Sequence, residues 1–402
     1  MPYQKYQADF VFTGYEMLNH KHVLITDEKG VVIEIVNETE AGDDVKKFSG
    51  ILTPGFINCH CHLELSHMKG LIPEKTGLVD FVFKVVTQRH FPEEEILQAI
   101  ANAEKEMLNN GIVAVGDICN NTLTVPQKQK GNLYYYNFIE VSGWLPQIAQ
   151  TRFERSKVFY DSFNQIKSSK SKIQNSIAPH APYSVSEDLW KLIEPFFQNK
   201  TTTIHNQETV FEDEFFKTGK GDFERMYHIM KIDNSFFKPS GKSSVQTVLS
   251  HFKCAEKVIL VHNTFIKEED INYINSYLKN NHQQFFYCLC VNANSYIENA
   301  SPPIKMLQNL NCNIILGTDS LASNWGLSIL DEIKSIRNCF PSLTTVQLLQ
   351  WATINGAKAL SLNDKLGSFE KGKKPGIVLI ENLTQEGNIT PISTATTVKN
   401  VL

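Results

Sequence analysis

The stretch GFINCHCHLE (residues 55–64) places a short apolar run directly before two histidines, His60 and His62. The run has the length and composition of a buried β-strand. Amphipathic helical stretches, such as 93–111 and 328–340, occur further along the chain. Between such stretches the same pattern of an apolar run that ends in polar residues recurs, at 111–119, 133–141, 173–180, 201–208, 258–265, 284–293 and 313–320. Eight apolar strands that alternate with helices predict an α/β protein with a parallel (β/α)8 TIM barrel.

The two ends of the chain have a different pattern. Residues 1–50 alternate apolar and polar positions in short runs broken by turn residues, and a similar pattern returns at 372–383 and 396–402. Because chain termini often lie close together, we expect both ends to form one small β-sandwich. The predicted domains are therefore the sandwich, 1–53 plus 366–402, and the barrel, 54–365.

Composition excludes several classes of function. A formal charge of −4 over 402 residues gives no argument for nucleic acid or an anionic membrane surface as a partner. No uncharged apolar run reaches the roughly 18 residues that a membrane helix needs, and the N-terminus lacks the apolar core of a signal peptide. Without a secretion signal, the eight cysteines do not indicate a disulfide framework. We expect a soluble, cytoplasmic protein.

The polar residues at the strand ends indicate one shared site. In a parallel barrel the carboxyl ends of all strands meet at one mouth, where such enzymes place their chemistry. Four separate strand ends carry imidazoles in a chain with only 12 histidines. In chain order the residues at the ends are His60 and His62, Asp117, Glu140, His180, His205 with Glu208, His262, Asn292 with Asn294, and Asp319.

A subset of these residues suits a catalytic metal ion. His60 and His62 are two positions apart, so both would face the same side of a strand while Cys61 faces away. His205 and Asp319 would complete a set of three nitrogens and one oxygen that leaves a position for water, whose pKa the ion would lower to roughly 7. A thiolate site is the alternative, although the Cys-x-Cys spacings at 59–61 and 288–290 are not those of structural zinc sites.

The motifs together resemble a known family. TPGFINCHCHLELS (53–66), APHAPYSVS (178–186), IHNQE (204–208), LVHNTF (260–265) and LGTDSLASN (316–324) are similar, in this order, to the amidohydrolase superfamily. The resemblance is to its amino-heterocycle deaminase and triazine chlorohydrolase branch, which includes aminofutalosine and methylthioadenosine/S-adenosylhomocysteine deaminases. It implies a barrel of the metal-dependent hydrolase type. The implied metal ligands are His60, His62, His205 and Asp319, the implied catalytic residues are Glu208, His262 and Asp319, and His180 is implied to contact substrate.

The resemblance implies hydrolytic removal of ammonia from an amino-substituted purine nucleoside or related small heterocycle. Glu208 would move a proton from water to the ring nitrogen, while His262 and Asp319 would orient and deprotonate the water. The cofactor would be one divalent ion, with zinc expected and iron or manganese as alternatives. The family also suggests a homodimer.

Substrate identity stays open at this point. Nucleoside-binding relatives tend to supply a carboxylate from the region after the first strand, whereas this chain has Gln88, Arg89 and His90 there. Arg89 could pair with a substrate carboxylate, as in an aminofutalosine-like substrate, or be a solvated helix residue. A hydrolase of another C–N or C–Cl bond, in a cyclic amide or a chlorotriazine, is the alternative. A catalytically inactive scaffold is a third reading, which the retained ligands, Glu208 and His262 disfavour.

Overall fold

The computed structural model describes residues 3–166, 173–279, 281–383, 392–393 and 395–402. The N-terminal part contains seven short strands: β1 (Tyr3–Gln7), β2 (Phe10–Phe12), β3 (Met17–Asn19), β4 (His22–Asp27), β5 (Val32–Asn37), β6 (Val45–Lys47) and β7 (Ile51–Pro54). Eight strands follow in the central part: β8 (Phe56–Cys61), β9 (Ile112–Cys119), β10 (Tyr134–Val141), β11 (Ile173–Pro179), β12 (Thr201–Asn206), β13 (Lys257–His262), β14 (Gln284–Leu289) and β15 (Asn313–Leu316). The last two are β16 (Ile377–Glu381) and β17 (Thr397–Asn400). All eight segments predicted as apolar strands therefore form strands.

Helices separate the central strands. They are α1 (Leu78–Gln88), α2 (Glu93–Asn109), α3 (Val125–Lys128), α4 (Ala149–Asn164), α5 (Glu187–Ile193), α6 (Phe211–Thr218), α7 (Asp222–Ile229), α8 (Ser244–Val248), α9 (Glu268–Leu278), α10 (Val291–Glu298), α11 (Ile304–Asn309), α12 (Ile329–Cys339), α13 (Thr345–Ala352) and α14 (Ile354–Ala359). Short 3-10 turns occur at Leu63–Met68, Pro146–Ile148, Pro182–Ser184, Glu194–Phe197 and Leu249–Phe252. The mixed α/β content agrees with the predicted class. No helix in the described part of the chain is long and apolar enough to cross a membrane.

The central strands form two parallel sheets, in the orders β8-β9-β10-β11 and β12-β13-β14-β15. Backbone hydrogen bonds connect the sheets at both sides: the His205 amide donates to the His180 carbonyl at 2.9 Å, and the Asp319 amide donates to the His60 carbonyl at 3.0 Å. Both faces of the strands are buried, since Leu260 packs in a core shared with the helices and Val261 in a second core that contains residues of both sheets. The carboxyl ends of strands in both sheets therefore come together.

The two chain ends share a sheet, ordered β17-β16-β7-β2-β3. In it β16, from the C-terminal part, pairs antiparallel with β7, and Ile380 lies opposite Ile51. A separate sheet, β5-β4-β1-β6, contains only N-terminal strands. The predicted association of the two ends is thus present in the pairing of β16 with β7, while their division from residues 54–365 as a domain stays a prediction.

Candidate metal and catalytic centre

Four side chains converge at the carboxyl ends of β8, β12 and β15. The Nε2 atom of His62 lies 3.2 Å from Nε2 of His60, 3.4 Å from Nε2 of His205 and 3.4 Å from Oδ1 of Asp319. The same carboxylate oxygen lies 3.5 Å from Nε2 of His60. All four residues are buried. We call these four side chains the donor cage.

The spacing of these atoms fits a metal ion. A tetrahedron with metal–ligand bonds of about 2.0–2.1 Å has edges of about 3.3–3.4 Å, close to the separations in the donor cage. The imidazole nitrogens face one another and the carboxylate, so their lone pairs point toward the same position. A cation at that position would accept all of these lone pairs. Zinc accepts a donor set of three nitrogens and one oxygen, and because these four donors fill a tetrahedron, a water molecule would join as a fifth ligand.

The protonation states of the cage are those that metal binding requires. Burial lowers the pKa of His62 to about 3 and lowers the pKa of His205 far below its ordinary value. Burial alone would raise the pKa of Asp319, but the hydrogen bond with His60 and the neighbouring imidazoles lower it well below the usual range. A neutral imidazole at His62 and at His205 and an ionised carboxylate at Asp319 are therefore favoured, and metal ligands must be in these forms.

His180 orients one member of the cage through its backbone. The Nδ1–H of His205 donates to the His180 carbonyl at 2.7 Å, which leaves Nε2 of His205 free to face His62. Such a contact fixes both the tautomer and the orientation of a ligand imidazole. The sequence predicted substrate contact for His180, and its side chain does line the cavity described below, with Nδ1 2.8 Å from Ser184 Oγ.

The cysteines lie outside the donor cage. Cys59 packs in one hydrophobic core and Cys61 in another, and both side chains are fully buried. Burial raises the pKa of both thiols well above the ordinary value, so the metal-binding thiolate form is disfavoured. Among the described residues, no group of side chains placed to hold a metal ion includes a cysteine. The geometry thus favours the histidine site over the thiolate alternative.

Glu208 and His262 form a pair beside the cage. Oε1 of Glu208 lies 3.5 Å from Nε2 of His262, and both side chains are buried. His262 Nδ1 lies 2.8 Å from Oδ1 of Asn294, an acceptor that holds the proton on Nδ1 and leaves Nε2 with its lone pair. Burial raises the pKa of Glu208 well above its ordinary value, and the charge of Asp319 adds to this effect. A carboxyl group whose pKa is raised toward the working pH is suited to general acid–base chemistry.

Unusual backbone conformations occur where these residues leave their strands. Gln207, His262 and Asp319 have positive φ angles of 45°, 71° and 58°, in the left-handed region that non-glycine residues rarely adopt. The Gln207 amide donates to Glu212 Oε1 at 2.9 Å, which helps to hold this turn. Strain of this kind clusters at functional sites, where it aims side chains that a regular strand would direct elsewhere.

A cavity of about 610 Å³ opens above the cage, and its wall contains every residue predicted as a metal ligand, catalytic residue or substrate contact except His60. Of the other strand-end residues, Glu140 lines the cavity, whereas Asp117, Asn292 and Asn294 do not. Trp144 and Tyr227 contribute to the wall, stacked with ring centroids 5.5 Å apart. The long segment between β12 and β13 contributes Met226, Met230 and Ile232 in addition to Tyr227. The lining residues that belong to the five motifs are His62, Leu65, His180, Tyr183, Ser184, His205, Glu208, His262, Asp319 and Ser320.

Three arginines line one part of this cavity. Arg89, at the C-terminal end of α1, lines the cavity, which agrees with the interpretation that it pairs with the substrate and not with the interpretation that it is a solvated helix residue. Arg152 and Arg155, on α4, also line the cavity. The pKa of Arg152 is lowered, first by burial and then by the charges of Arg155 and Arg89. Arg152 and Arg155 were not predicted from the sequence, although two arginines three residues apart on a helix that follows an apolar strand were an available signal.

Comparison with known proteins identifies the family. Residues 51–402 match the amidohydrolase family. The chain belongs to this family. The resemblance drawn from the five motifs is therefore confirmed, and with it the expectation of a metal-dependent hydrolase.

Curated relatives of this amidohydrolase are named as deaminases. An adenosine deaminase of Helicobacter pylori is 28% identical over 84% of this chain and 81% of its own length. A 5-methylthioadenosine/S-adenosylhomocysteine deaminase of Saccharophagus degradans is 25% identical over 91% of this chain and 80% of its own.

Solved structures share the fold. The aminofutalosine deaminase of Helicobacter pylori in complex with methylthio-coformycin superimposes with a TM-score of 0.78 at 23% identity, covering 96% of this chain and 93% of the other. The zinc complex of an atrazine chlorohydrolase from Arthrobacter aurescens gives 0.72 at 15% identity, with 93% and 86% covered.

Proposed function

We propose that this amidohydrolase is a metal-dependent deaminase that hydrolyses an amino-substituted purine nucleoside or a related heterocycle. The observation that carries the proposal is the position of the Glu208–His262 pair beside the donor cage, with both groups opening into one cavity. The deaminase names of the curated relatives support the reaction class.

In this proposal His60, His62, His205 and Asp319 hold one divalent ion, which we infer to be zinc, with iron or manganese as alternatives. When bound, the ion would polarise a water molecule and lower its pKa to roughly 7. The zinc complex of the atrazine chlorohydrolase supports this choice of metal.

Side chains of the protein then transfer the protons of the reaction. Glu208 carries a proton from the attacking water to the ring nitrogen of the heterocycle, a role that suits a carboxyl whose pKa is raised well above its ordinary value by burial. His262 accepts the second proton of the water at Nε2, which has no hydrogen-bond partner among the described residues. It then returns this proton to the amino group, which leaves as ammonia when the C–N bond breaks. Asp319 orients the attacking water, and its second oxygen is held by Ser323 Oγ at 2.7 Å.

The cavity also suits a substrate with an anionic group away from the heterocycle. Arg89, Arg152 and Arg155 supply positive charge on one wall, and arginine pairs with carboxylates through two parallel hydrogen bonds. Trp144 and Tyr227 offer flat aromatic surface to a ring system. His180 would contact the substrate between these regions. An aminofutalosine-like nucleoside, which carries a benzoate group, satisfies all three features.

We also propose that the two parallel sheets close into one (β/α)8 barrel over residues 54–365. The backbone hydrogen bonds from His205 to His180 and from Asp319 to His60 support closure at both seams. The remaining parts, 1–53 and 366–402, would form the small β-sandwich, which the pairing of β16 with β7 supports.

A second candidate reaction is hydrolysis of another C–N or C–Cl bond at the same centre, which the likeness to the atrazine chlorohydrolase favours. A product assay distinguishes the two. The metal-loaded protein is incubated with adenosine, methylthioadenosine, guanine, atrazine and a cyclic amide, and ammonia, chloride and ring opening are measured. Ammonia release from the purines, with the absorbance change of amine-to-oxo conversion, supports deamination. Turnover of only atrazine or the amide would replace the proposal with the second candidate.

A further inference from the structure

A buried carboxyl group in the cavity wall has no part in the chemistry proposed above. Glu140, near the C-terminal end of β10, is 6% exposed, and its Oε2 atom is buried without a hydrogen-bond partner among the described residues. The residue nevertheless lines the cavity. A buried acceptor without a partner is costly, so an unpaired carboxyl oxygen at a cavity wall indicates that a ligand supplies the missing donor.

Glu140 lies at the junction of two regions of the cavity. On one side, a carboxyl oxygen of Glu140 and ring nitrogens of His180 and His205 all lie within 4.8 Å of one another. On the other side, the hydroxyl of Ser156 donates to the Glu140 backbone carbonyl at 3.1 Å, and Ser156 lies on the same helix as Arg152 and Arg155. A substrate whose heterocycle faces Glu208 and whose anionic end faces the arginines would place its middle part beside Glu140.

A second metal ion does not account for Glu140. The three side chains that could hold such an ion include His205, whose two ring nitrogens are already engaged. Its Nδ1 donates to the His180 carbonyl and its Nε2 faces His62 in the donor cage. Only Glu140 and His180 would remain as ligands.

The donor that meets Glu140 is a neutral group rather than a cation. Arg89, Arg152 and Arg155 line the same cavity and would repel a positively charged group. An ionised or neutral carboxyl oxygen accepts well from an alcohol hydroxyl. In a nucleoside, the part between the base and its substituent carries such hydroxyls.

We propose that Glu140 is a specificity-determining residue that accepts a hydrogen bond from a hydroxyl group in the part of the substrate joining the heterocycle to its anionic end. The inference rests on the proposed deaminase function. It adds the requirement that the substrate be a hydroxyl-bearing nucleoside and not a free base.

The test compares metal-loaded wild-type protein with Glu140→Gln on adenosine, 2′-deoxyadenosine and 3′-deoxyadenosine, with kcat/KM measured by ammonia release. The wild type should prefer adenosine over one deoxy compound by roughly tenfold or more. Glu140→Gln should lower kcat/KM for adenosine by about 10- to 100-fold while changing that deoxy compound by less than about threefold. The matched control is Glu104→Gln, a buried carboxyl that accepts from the Tyr135 hydroxyl at 2.7 Å and is absent from the cavity wall. Its effect should be equal on all three nucleosides.

Several results would overturn the inference. One is an equal loss by Glu140→Gln on all three nucleosides, and another is a wild type that treats them alike. Two metal ions per wild-type chain and one in Glu140→Gln would assign the residue to a second metal site. If the wild type releases no ammonia from any of them, the deaminase proposal fails, and the dissociation constants of the three nucleosides then decide the role of Glu140 separately. Weaker binding of adenosine alone in Glu140→Gln supports the role, and unchanged binding contradicts it.

Discussion

The Nε2 atom of His62 and the Oδ1 atom of Asp319 lie 3.4 Å apart, although one residue follows β8 and the other follows β15. The low pKa of His62 keeps its imidazole neutral, so the pair presents lone pairs to a common point rather than forming an ordinary ion pair. This short distance places two motifs that are far apart in the sequence in one centre.

Replacing a cage ligand should abolish metal binding. Asp319→Ala removes the only carboxylate of the donor cage, and we expect its metal content, measured by elemental analysis after gel filtration, to fall well below one ion per chain. His67→Ala is the matched control, because His67 Nε2 contacts the Arg89 carbonyl at 3.0 Å and takes no part in the cage. Full metal content in Asp319→Ala, or equal loss in His67→Ala, would argue against the assigned ligands.

Removing the proton carrier should separate turnover from metal binding. Glu208→Gln keeps the shape of the side chain but cannot transfer a proton, so we expect kcat to fall by about 10²- to 10⁴-fold with metal content unchanged. Glu214→Gln, an exposed glutamate on α6, serves as the control and should retain wild-type kcat. Near-normal turnover in Glu208→Gln would refute the role proposed for this residue.

Removing one partner of the buried ion pair between Lys128 and Asp117 should strongly destabilise the protein. Both side chains are fully buried, with Nζ 2.5 Å from Oδ2, and Oδ1 of Asp117 accepts from the Leu63 amide directly after the His60–His62 motif. Lys128→Met leaves an unpaired buried carboxylate, and we expect the free energy of unfolding to fall by about 3–5 kcal/mol.

The control for this variant is Lys157→Met, which breaks a pair whose side chains are 38% and 48% exposed. Urea unfolding at one fixed metal concentration should show a change of about 1 kcal/mol or less. If the two substitutions lower the free energy of unfolding equally, burial does not determine the cost of removing one partner of an ion pair in this protein.

Stability should depend on pH through Glu332. Burial raises the pKa of this carboxyl from 4.5 to about 8 in the folded protein. Between these values the unfolded chain releases the proton and the folded chain keeps it, so the contribution of Glu332 is fully present below about pH 4.5 and is lost as pH rises through about 8.

Relative to Glu332→Gln, the wild type should therefore lose free energy of unfolding between about pH 5 and pH 8.5, by at most about 5 kcal/mol. Parallel urea titrations of both proteins at several pH values measure this difference. A difference that is constant over the range, or one that grows with pH, would contradict the raised pKa.

Local sequence pattern predicted the eight central strands and the polar residues at their ends, while the assignment of four of those residues as metal ligands stays a prediction. Each of the eight central strands is a short apolar run, and a strand end such as Ile204–His205 is recognisable without any distant contact. The parallel arrangement then brings His62, His205 and Asp319 together, because strand ends in neighbouring sheets meet at one edge.

Features that depend on how the helices pack against the strands could not be predicted from the sequence pattern. Whether Arg89 faces the cavity depends on the packing of α1, and both interpretations fitted the sequence. The burial of Lys128, on a four-residue helix, could not be inferred from a residue type that is usually exposed. The contact of His205 with the His180 carbonyl involves a backbone atom, so side-chain identity carries no sign of it.

The most direct test of the account measures metal content and ammonia release in the same preparations of wild type and His205→Ala. Wild-type protein should contain one divalent ion per chain and release ammonia from an adenine nucleoside, and His205→Ala should lose both. Ammonia release that persists in metal-free His205→Ala, or a wild type that binds no divalent ion, would contradict the central claim that this cage is a hydrolytic metal centre.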